Sequence, residues 1–243
     1  MSGIMAIVQA RMGSTRLPGK VLMEIGGKPM LARVIERAGQ ARKLDGIVVA
    51  TTGNDEDDRI VSLCRDRGWE CFRGSEADVL DRYYRAAVEY RAEHVVRITS
   101  DCPLIDPGLV DRVVGEFLAG QPGLDYASNF LPRRTFPRGL DTEIMTFRAL
   151  ERSWREDPNP AHREHVTQYI LRHPELFRTY GVIHGTDLSH HRWTVDTIED
   201  LDLVRAVFSH FGDLPFTWLE VLRFLESHPE LAEINRHIRQ KTL

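Results

Sequence analysis

Apolar runs bounded by turn residues recur along the chain, with helix-periodic stretches between them; this is the pattern of strands alternating with helices. Residues 4–8 read as a first buried strand, and residues 30–41 as a helix with Leu31, Val34, Ile35 and Ala38 on one stripe. Residues 46–50 predict a second strand, 57–67 a helix carrying Ile60, Val61 and Cys64, and 70–72 a short third strand. A helix over 79–90 and a strand over 94–99 follow, then a helix over 107–118 with Pro107 in its favoured first turn. The pattern weakens between residues 125 and 185, where a helix near 163–172 is the clearest element. A short strand over 193–196, a helix over 198–211 and a helical end over 218–243, broken at Pro229, complete the pattern.

Such alternation predicts the α/β class: a three-layer sandwich whose mainly parallel, Rossmann-like sheet is covered by helices on both faces. The weak stretch predicts an inserted lobe over residues 125–190 within one domain spanning 1–243. Sheets of this kind bind ligands outside the carboxyl ends of their strands. The segments after residues 8 and 99 should therefore line one cleft.

At 243 residues the chain can bury a substantial core. Its net charge of −4 argues against a general nucleic-acid binder, because no positive field draws phosphate backbones to it. Cys64, Cys71 and Cys102 are odd in number and form no CxxC pair, which speaks against a disulfide framework or zinc site and suits a reducing compartment. Residues 1–8 are too short for a signal-peptide core, and no stretch approaches the ~20 apolar residues that span a bilayer. The expectation is a cytoplasmic protein without membrane contact.

Chemistry concentrates first in Gln9-Ala10-Arg11-Met12-Gly13-Ser14-Thr15-Arg16-Leu17-Pro18-Gly19-Lys20, directly after the first strand. The segment is neither G-x-x-x-x-G-K-[ST] nor G-x-G-x-x-G. Its glycines nevertheless let backbone approach an anion, N–H groups around Gly13–Thr15 can meet phosphates, and Arg11, Arg16 and Lys20 can neutralise charge on a departing pyrophosphate. A polar surface loop with incidental charges is the bland alternative.

From Arg11 to Lys20 the chain closely resembles the N-terminal signature of cytidylyltransferases that make CMP-activated acidic sugars, among them the CMP-Kdo and CMP-sialic acid synthetases. Its wording is most like the SpsF-like spore coat polysaccharide branch. The resemblance continues through Gly26-Gly27-Lys28-Pro29-Met30, Arg73-Gly74-Ser75, Ser100-Asp101-Cys102-Pro103-Leu104-Ile105 and Val195-Asp196-Thr197-Ile198-Glu199-Asp200-Leu201, and so covers most of the chain. It implies transfer of CMP from CTP to a small acidic acceptor, with Arg11, Arg16, Lys20 and Asp101 as catalytic residues.

Asp101, at a strand end, can hold Mg²⁺ through hard oxygen ligands, or can simply cap a turn before Pro103; Asp196 repeats that choice. The resemblance favours metal, since the family places one Mg²⁺-binding aspartate in each of these motifs. Asp200 and Asp202 read as helix-surface charges. The nucleotide set implied is Ala10, Arg11, Gly13, Ser14, Thr15, Arg16 and Lys20, with Thr51 lining the pocket and Arg73 and Ser75 on the cytosine side; a helix cap explains Ser75 equally well.

For the acceptor, Arg133, Arg134 and Arg138 can clamp a carboxylate or phosphate, and Asp141 and Glu143 can bond sugar hydroxyls or alternate along a strand. His162, Arg163 and His165 share a predicted helix; H-x-x-H without further ligands is weak evidence for zinc, and acceptor contact or a subunit interface is favoured. The related synthetases are commonly homodimers, which makes the inserted lobe the expected interface. A glycosyltransferase using a nucleotide sugar is the alternative class, but Ser100-Asp101-Cys102 offers one carboxylate where such enzymes usually carry an Asp-x-Asp pair.

Overall fold

β1 (Ile4–Gln9) carries no charged side chain and is buried along most of its length, as a strand flanked on both sides requires. A short antiparallel ribbon, β2 (Glu24–Ile25) and β3 (Lys28–Pro29), leads into α1 (Met30–Ala38). Next come β4 (Gly46–Thr52), α2 (Asp58–Arg67), β5 (Glu70–Gly74), α3 (Val79–Glu89), β6 (His94–Thr99) and α4 (Pro107–Ala119). The chain continues through β7 (Tyr126–Ser128), β8 (Glu143–Thr146), α5 (Phe147–Glu156), α6 (Pro160–Glu164), α7 (Gln168–Arg172) and β9 (Thr179–Gly181). It ends with α8 (Ile198–Phe211), α9 (Trp218–Ser227) and α10 (Pro229–Glu233). This computed structural model describes residues 3–239.

The central sheet has the order β5-β4-β1-β6-β8-β7-β9. Its first four strands are parallel, β8 runs antiparallel to both β6 and β7, and β9 is parallel to β7. The chain leaves β1 toward β4 on one side and returns to β6 on the other. The carboxyl ends of β1, β4 and β6 thus border the switch point at which such sheets bind ligands.

Helices cover both faces. On one, α1, α2, α4, α8 and α9 bury Leu31, Ile60, Val113, Val204 and Val221 against Val8 and Ile98. On the other, α3, α5 and α7 bury Tyr83, Leu150 and Ile170 against Ile7 and Met145. Each such aliphatic or aromatic side chain contributes about 1.5–3 kcal/mol on leaving water, so these two layers hold the scaffold. The three-layer α/β sandwich is the predicted one.

Five details differ from the sequence pattern. The weak stretch adds β7, β8 and β9 to the central sheet; the three-residue strands β7 and β9 are too short to show alternation. α5 was not expected, because its buried Ala149, Leu150 and Ser153 are scattered among charged neighbours. The helix expected over 163–172 is split into α6 and α7 at Val166, whose φ of 61° is left-handed. Residues 193–196 form no strand: among the described residues an isolated bridge pairs Arg138 with the preceding Arg192, and Val195 N–H donates to Asp101 O at 2.8 Å. Of the helical end, α10 stops at Glu233, and residues 240–243 lie outside the described residues. Among the described residues no helix is long and apolar enough to cross a membrane.

Candidate active site

After β1 the chain folds back on itself. Gly19 N–H donates to Met12 O at 2.9 Å, and Lys20 N–H to Leu17 O at 3.2 Å. Gly19 has φ 70°, a conformation that glycine adopts without a Cβ clash, and the turn it makes sends Lys20 inward as the first residue of a 3-10 turn, Lys20–Leu22. The buried carboxylate of Asp57 pins the loop to the end of β4: Oδ1 accepts Met12 N–H at 2.7 Å, and Oδ2 accepts the N–H and hydroxyl of Thr52. The N–H groups of Gly13, Thr15 and Arg16 make no hydrogen bond within the described chain. Ser14 is used differently, its N–H donating to Met12 O at 2.8 Å and its Oγ accepting Leu17 N–H at 3.3 Å. Free N–H groups beside cations form an anion-binding concavity.

Lys20 is 9 % exposed and lies at the centre of the site. Its Nζ donates to Asp101 Oδ2 at 3.1 Å, to Asp196 Oδ1 at 3.0 Å and to Val195 O at 2.7 Å. Burial alone would lower the Lys20 pKa, but Asp101 and Asp196 outweigh it and the pKa is raised. Burial likewise works against the Asp101 carboxylate, while the Lys20 charge and the Thr99 hydroxyl, 2.6 Å from Oδ1, hold its pKa below the ordinary value. Arg16 reaches Asp196 Oδ1 at 2.8 Å from the solvent side.

A second layer fixes Asp196. Arg192 Nη2 donates to Asp196 Oδ2 at 2.9 Å, and its Nε and Nη2 grip the two oxygens of Asp200, also at 2.9 Å. Asp200 Oδ2 further accepts the N–H of Asp196 at 2.9 Å, and Oδ1 accepts Asn235 Nδ2 at 2.8 Å. Asp200 is fully buried, which corrects its assignment as a surface charge: this N3 residue of the α8 capping box turns inward to Arg192.

The arrangement suits a hard divalent cation. Three oxygens, from Asp101, Asp196 and the Val195 carbonyl, converge on one point filled by an ammonium group. Among the described residues no cluster of three or more His, Cys, Asp or Glu side chains offers an all-protein cage. Mg²⁺ commonly takes one or two carboxylates and completes its shell with substrate phosphates and water.

A family model described as cytidylyltransferase matches residues 5–231. The chain belongs to the cytidylyltransferases. It is 32 % identical over 240 residues to the spore coat polysaccharide biosynthesis protein SpsF of Bacillus subtilis, covering 96 % of this chain and 98 % of the other. A solved cytidylyltransferase from Leptospira borgpetersenii superposes with a TM-score of 0.92 at 33 % identity, over the full length of both chains. A 3-deoxy-manno-octulosonate cytidylyltransferase from Anaeromyxobacter dehalogenans is 41 % identical over 123 residues, 49 % of each chain. Membership of this family makes the chain a nucleotidyltransferase and sets the glycosyltransferase alternative aside.

Around the centre of this cytidylyltransferase the remaining expected residues divide into exposed and committed groups. Arg11 is held only loosely, 3.9 Å from Glu76 Oε1 and 4.0 Å from Glu164 Oε1, and is free to face a ligand. Ala10 is buried, its N–H donating to Ala50 O at 3.1 Å. Thr51 is fully buried on β4, and its Oγ1 has no hydrogen-bond partner among the described residues. Arg73 braces the loop after β4, donating to Thr52 O at 3.0 Å and Asn54 O at 2.9 Å and pairing with Asp58 at 2.5 Å. Ser75 does not cap α3; Asp78 does, and Ser75 Oγ accepts the Asp78 N–H at 3.0 Å.

Several expected acceptor contacts prove to be internal braces. Glu143 is buried on β8, where Arg97 engages Oε1 and the Tyr126 hydroxyl donates to Oε2 at 2.7 Å. Arg163 ties α6 to α3, with Nε 2.8 Å from Asp78 Oδ2 and Nη1 donating to Trp154 O at 2.8 Å. Asp141 takes the bidentate fork of Arg134, Nη2 at 2.7 Å from Oδ2. His162 sits 3.4 Å from Asp157 Oδ1, and burial lowers the pKa of His165. Arg133 is exposed. Arg138 stands apart as a half-buried guanidinium with no side-chain hydrogen bond or ion pair among the described residues; burial and the neighbouring Arg134 lower its pKa.

Asp57, Asn235 and the Arg97–Glu143 pair carry structural duties that motif reading missed. Asp57 shows in sequence only as an acidic residue before a helix, and Asn235 lies 35 residues beyond the carboxylate it supports.

Proposed function

We propose that this cytidylyltransferase transfers CMP from CTP to a hydroxyl of an acidic sugar or related small acid, releasing pyrophosphate, with Mg²⁺ as cofactor. The observation that carries the reading is the meeting of Lys20, Asp101 and Asp196 beneath a loop whose Gly13, Thr15 and Arg16 N–H groups are free. In this scheme those N–H groups and the Arg11 and Arg16 side chains receive the β- and γ-phosphates. The acceptor hydroxyl gives up its proton to solvent and its oxygen forms a bond to the α-phosphorus as the bond to the bridging oxygen of pyrophosphate breaks. Lys20 and Arg16 neutralise the charge that grows on the leaving group. Mg²⁺ held by Asp101 and Asp196 would polarise the α-phosphate and screen the approach of an anionic acceptor.

Arg138 is the side chain best suited to an acceptor carboxylate, being the half-buried guanidinium near this centre without a carboxylate partner of its own. The likeness to SpsF supports a place in surface polysaccharide or glycoconjugate synthesis. Residues 125–190 are proposed as the acceptor-binding and homodimer-forming part of a single domain. The edge position of β9 and the exposure of Tyr180 and Ile183 support a contact there. A cytoplasmic location fits the three free thiols.

Thermal-shift measurements with Mg²⁺ and CTP, UTP, ATP or a UDP-sugar test the nucleotide assignment. CTP is expected to raise the melting temperature most, because only a ligand that prefers the folded state stabilises it. Equal shifts with all four, or none with CTP, would contradict it.

A further inference from the structure

We infer that Lys20 is a built-in counter-cation that holds the divalent-cation position until a triphosphate arrives, so that the chain takes metal and nucleotide together. The inference rests on the reading of Asp101 and Asp196 as the Mg²⁺ carboxylates.

Asp196 is already contacted by three cationic groups: Arg16 at 2.8 Å, Lys20 at 3.0 Å and Arg192 at 2.9 Å. A dication entering that ring meets repulsion that falls only inversely with distance in a partly buried site. One of the three must give way. Arg192 is clamped by Asp200 and is 7 % exposed, so it stays. Arg16 shares only Oδ1 of Asp196, from the cleft side. Lys20 is the group that fills the meeting point of Asp101 Oδ2, Asp196 Oδ1 and Val195 O.

Lysine suits an exchange of this kind. Its ammonium is a compact point charge on a flexible four-carbon stem, whereas an arginine fork is held by its geometry. A destination lies in the same loop: the free N–H groups of Gly13, Thr15 and Arg16 attract a polyphosphate, whose oxygens can replace the carboxylates as partners of Nζ. Movement of Lys20, with Arg16 turning from Asp196 Oδ1 to the same phosphates, therefore releases three hard oxygens to the metal. Lys20 thereby selects the metal–nucleotide complex over the bare cation. By linkage the coupling is reciprocal, so metal also tightens CTP binding.

Mn²⁺ titration of the full chain, followed by the electron paramagnetic resonance of free Mn²⁺, tests this without turnover. In the absence of nucleotide, Lys20→Met is expected to bind Mn²⁺ about tenfold tighter than the unmodified chain or more, a typical size for a coupling between sites. Lys28→Met removes a lysine that pairs with Glu36 at 2.9 Å and is expected to change nothing. Adding Asp101→Asn to Lys20→Met should abolish the gain. In the unmodified chain, CTP without acceptor should tighten Mn²⁺ binding about tenfold or more, and in Lys20→Met by much less. If Lys20→Met is poorly folded, Lys20→Gln serves, and the rise in its melting temperature with Mn²⁺ alone should exceed that of the unmodified chain. Nucleotide-free Mn²⁺ binding that is equal in both proteins would overturn the inference while leaving the metal reading intact. Absence of Mn²⁺ binding by both proteins, with and without CTP, would overturn the metal reading and the inference with it.

Discussion

Arg192 grips both carboxylate oxygens of Asp200, Nε to Oδ1 and Nη2 to Oδ2, each at 2.9 Å. The pair is buried, and it sets the orientation of Asp196 through the shared Nη2. Removing Asp200 takes the bidentate carboxylate from a buried guanidinium, which keeps its Asp196 contact, so Asp200→Ala is expected to lower stability by about 3 kcal/mol. Asn235→Ala removes two neutral-donor hydrogen bonds, to Arg192 O at 2.9 Å and Asp200 Oδ1 at 2.8 Å, and should cost about 1–3 kcal/mol. Urea denaturation midpoints with constant slope check both. An Asp200→Ala variant as stable as the unmodified chain would show that the pair does not constrain the fold.

Gly139 has φ 103°, and a Cβ there would lie 2.6 Å from Thr194 N and 2.6 Å from the Trp193 carbonyl carbon. Both contacts are to backbone, so Gly139→Ala must separate the segment carrying Arg138 from the one carrying Arg192. The loss expected is about 2 kcal/mol or more, together with a fall in turnover. Comparison of the denaturation midpoint with that of Gly185→Ala, where nothing lies within 4 Å of the added carbon, provides the control. Equal midpoints for the two variants would mean that the close approach is not needed.

His191 connects this region to pH. Burial, with a smaller contribution from His190, lowers its pKa from 6.5 to about 4. As pH falls through 6.5, the unfolded chain takes up a proton that the folded chain refuses until about 4. The stability contributed by neutral His191 is thus fully present above 6.5 and is lost progressively as pH drops toward 4. His191→Phe should flatten the decline in denaturation midpoint between pH 7 and pH 5, an interval that spans most of that window. An unchanged slope would exclude His191 as its source.

Much of the candidate site was legible in sequence because it is local. Arg11 to Lys20 is one continuous segment, and Asp101 and Asp196 each sit in short motifs next to predicted elements. The four parallel strands β1, β4, β5 and β6 and most of the helices followed from hydrophobic periodicity for the same reason, whereas β7, β8 and β9 did not. Asp200 was misread because an acidic residue in the first turn of a helix looks the same whether it faces water or a buried arginine. Glu143 and Arg163 looked free because their partners, Arg97 and Asp78, lie on elements distant in sequence. The break at Val166 was invisible because a β-branched residue rarely takes positive φ, and surrounding structure imposes it.

The most direct test combines CTP, Mg²⁺ and a panel of small sugar acids and related acids, with pyrophosphate release followed for the unmodified chain and for Asp101→Asn. The account predicts release with CTP and at least one acid acceptor. It predicts a fall of about a hundredfold or more in turnover for Asp101→Asn, with CTP still bound, as expected when charge stabilisation of the transition state is removed. Absence of release across the panel, together with absence of CTP binding, or equal turnover by Asp101→Asn, would contradict it.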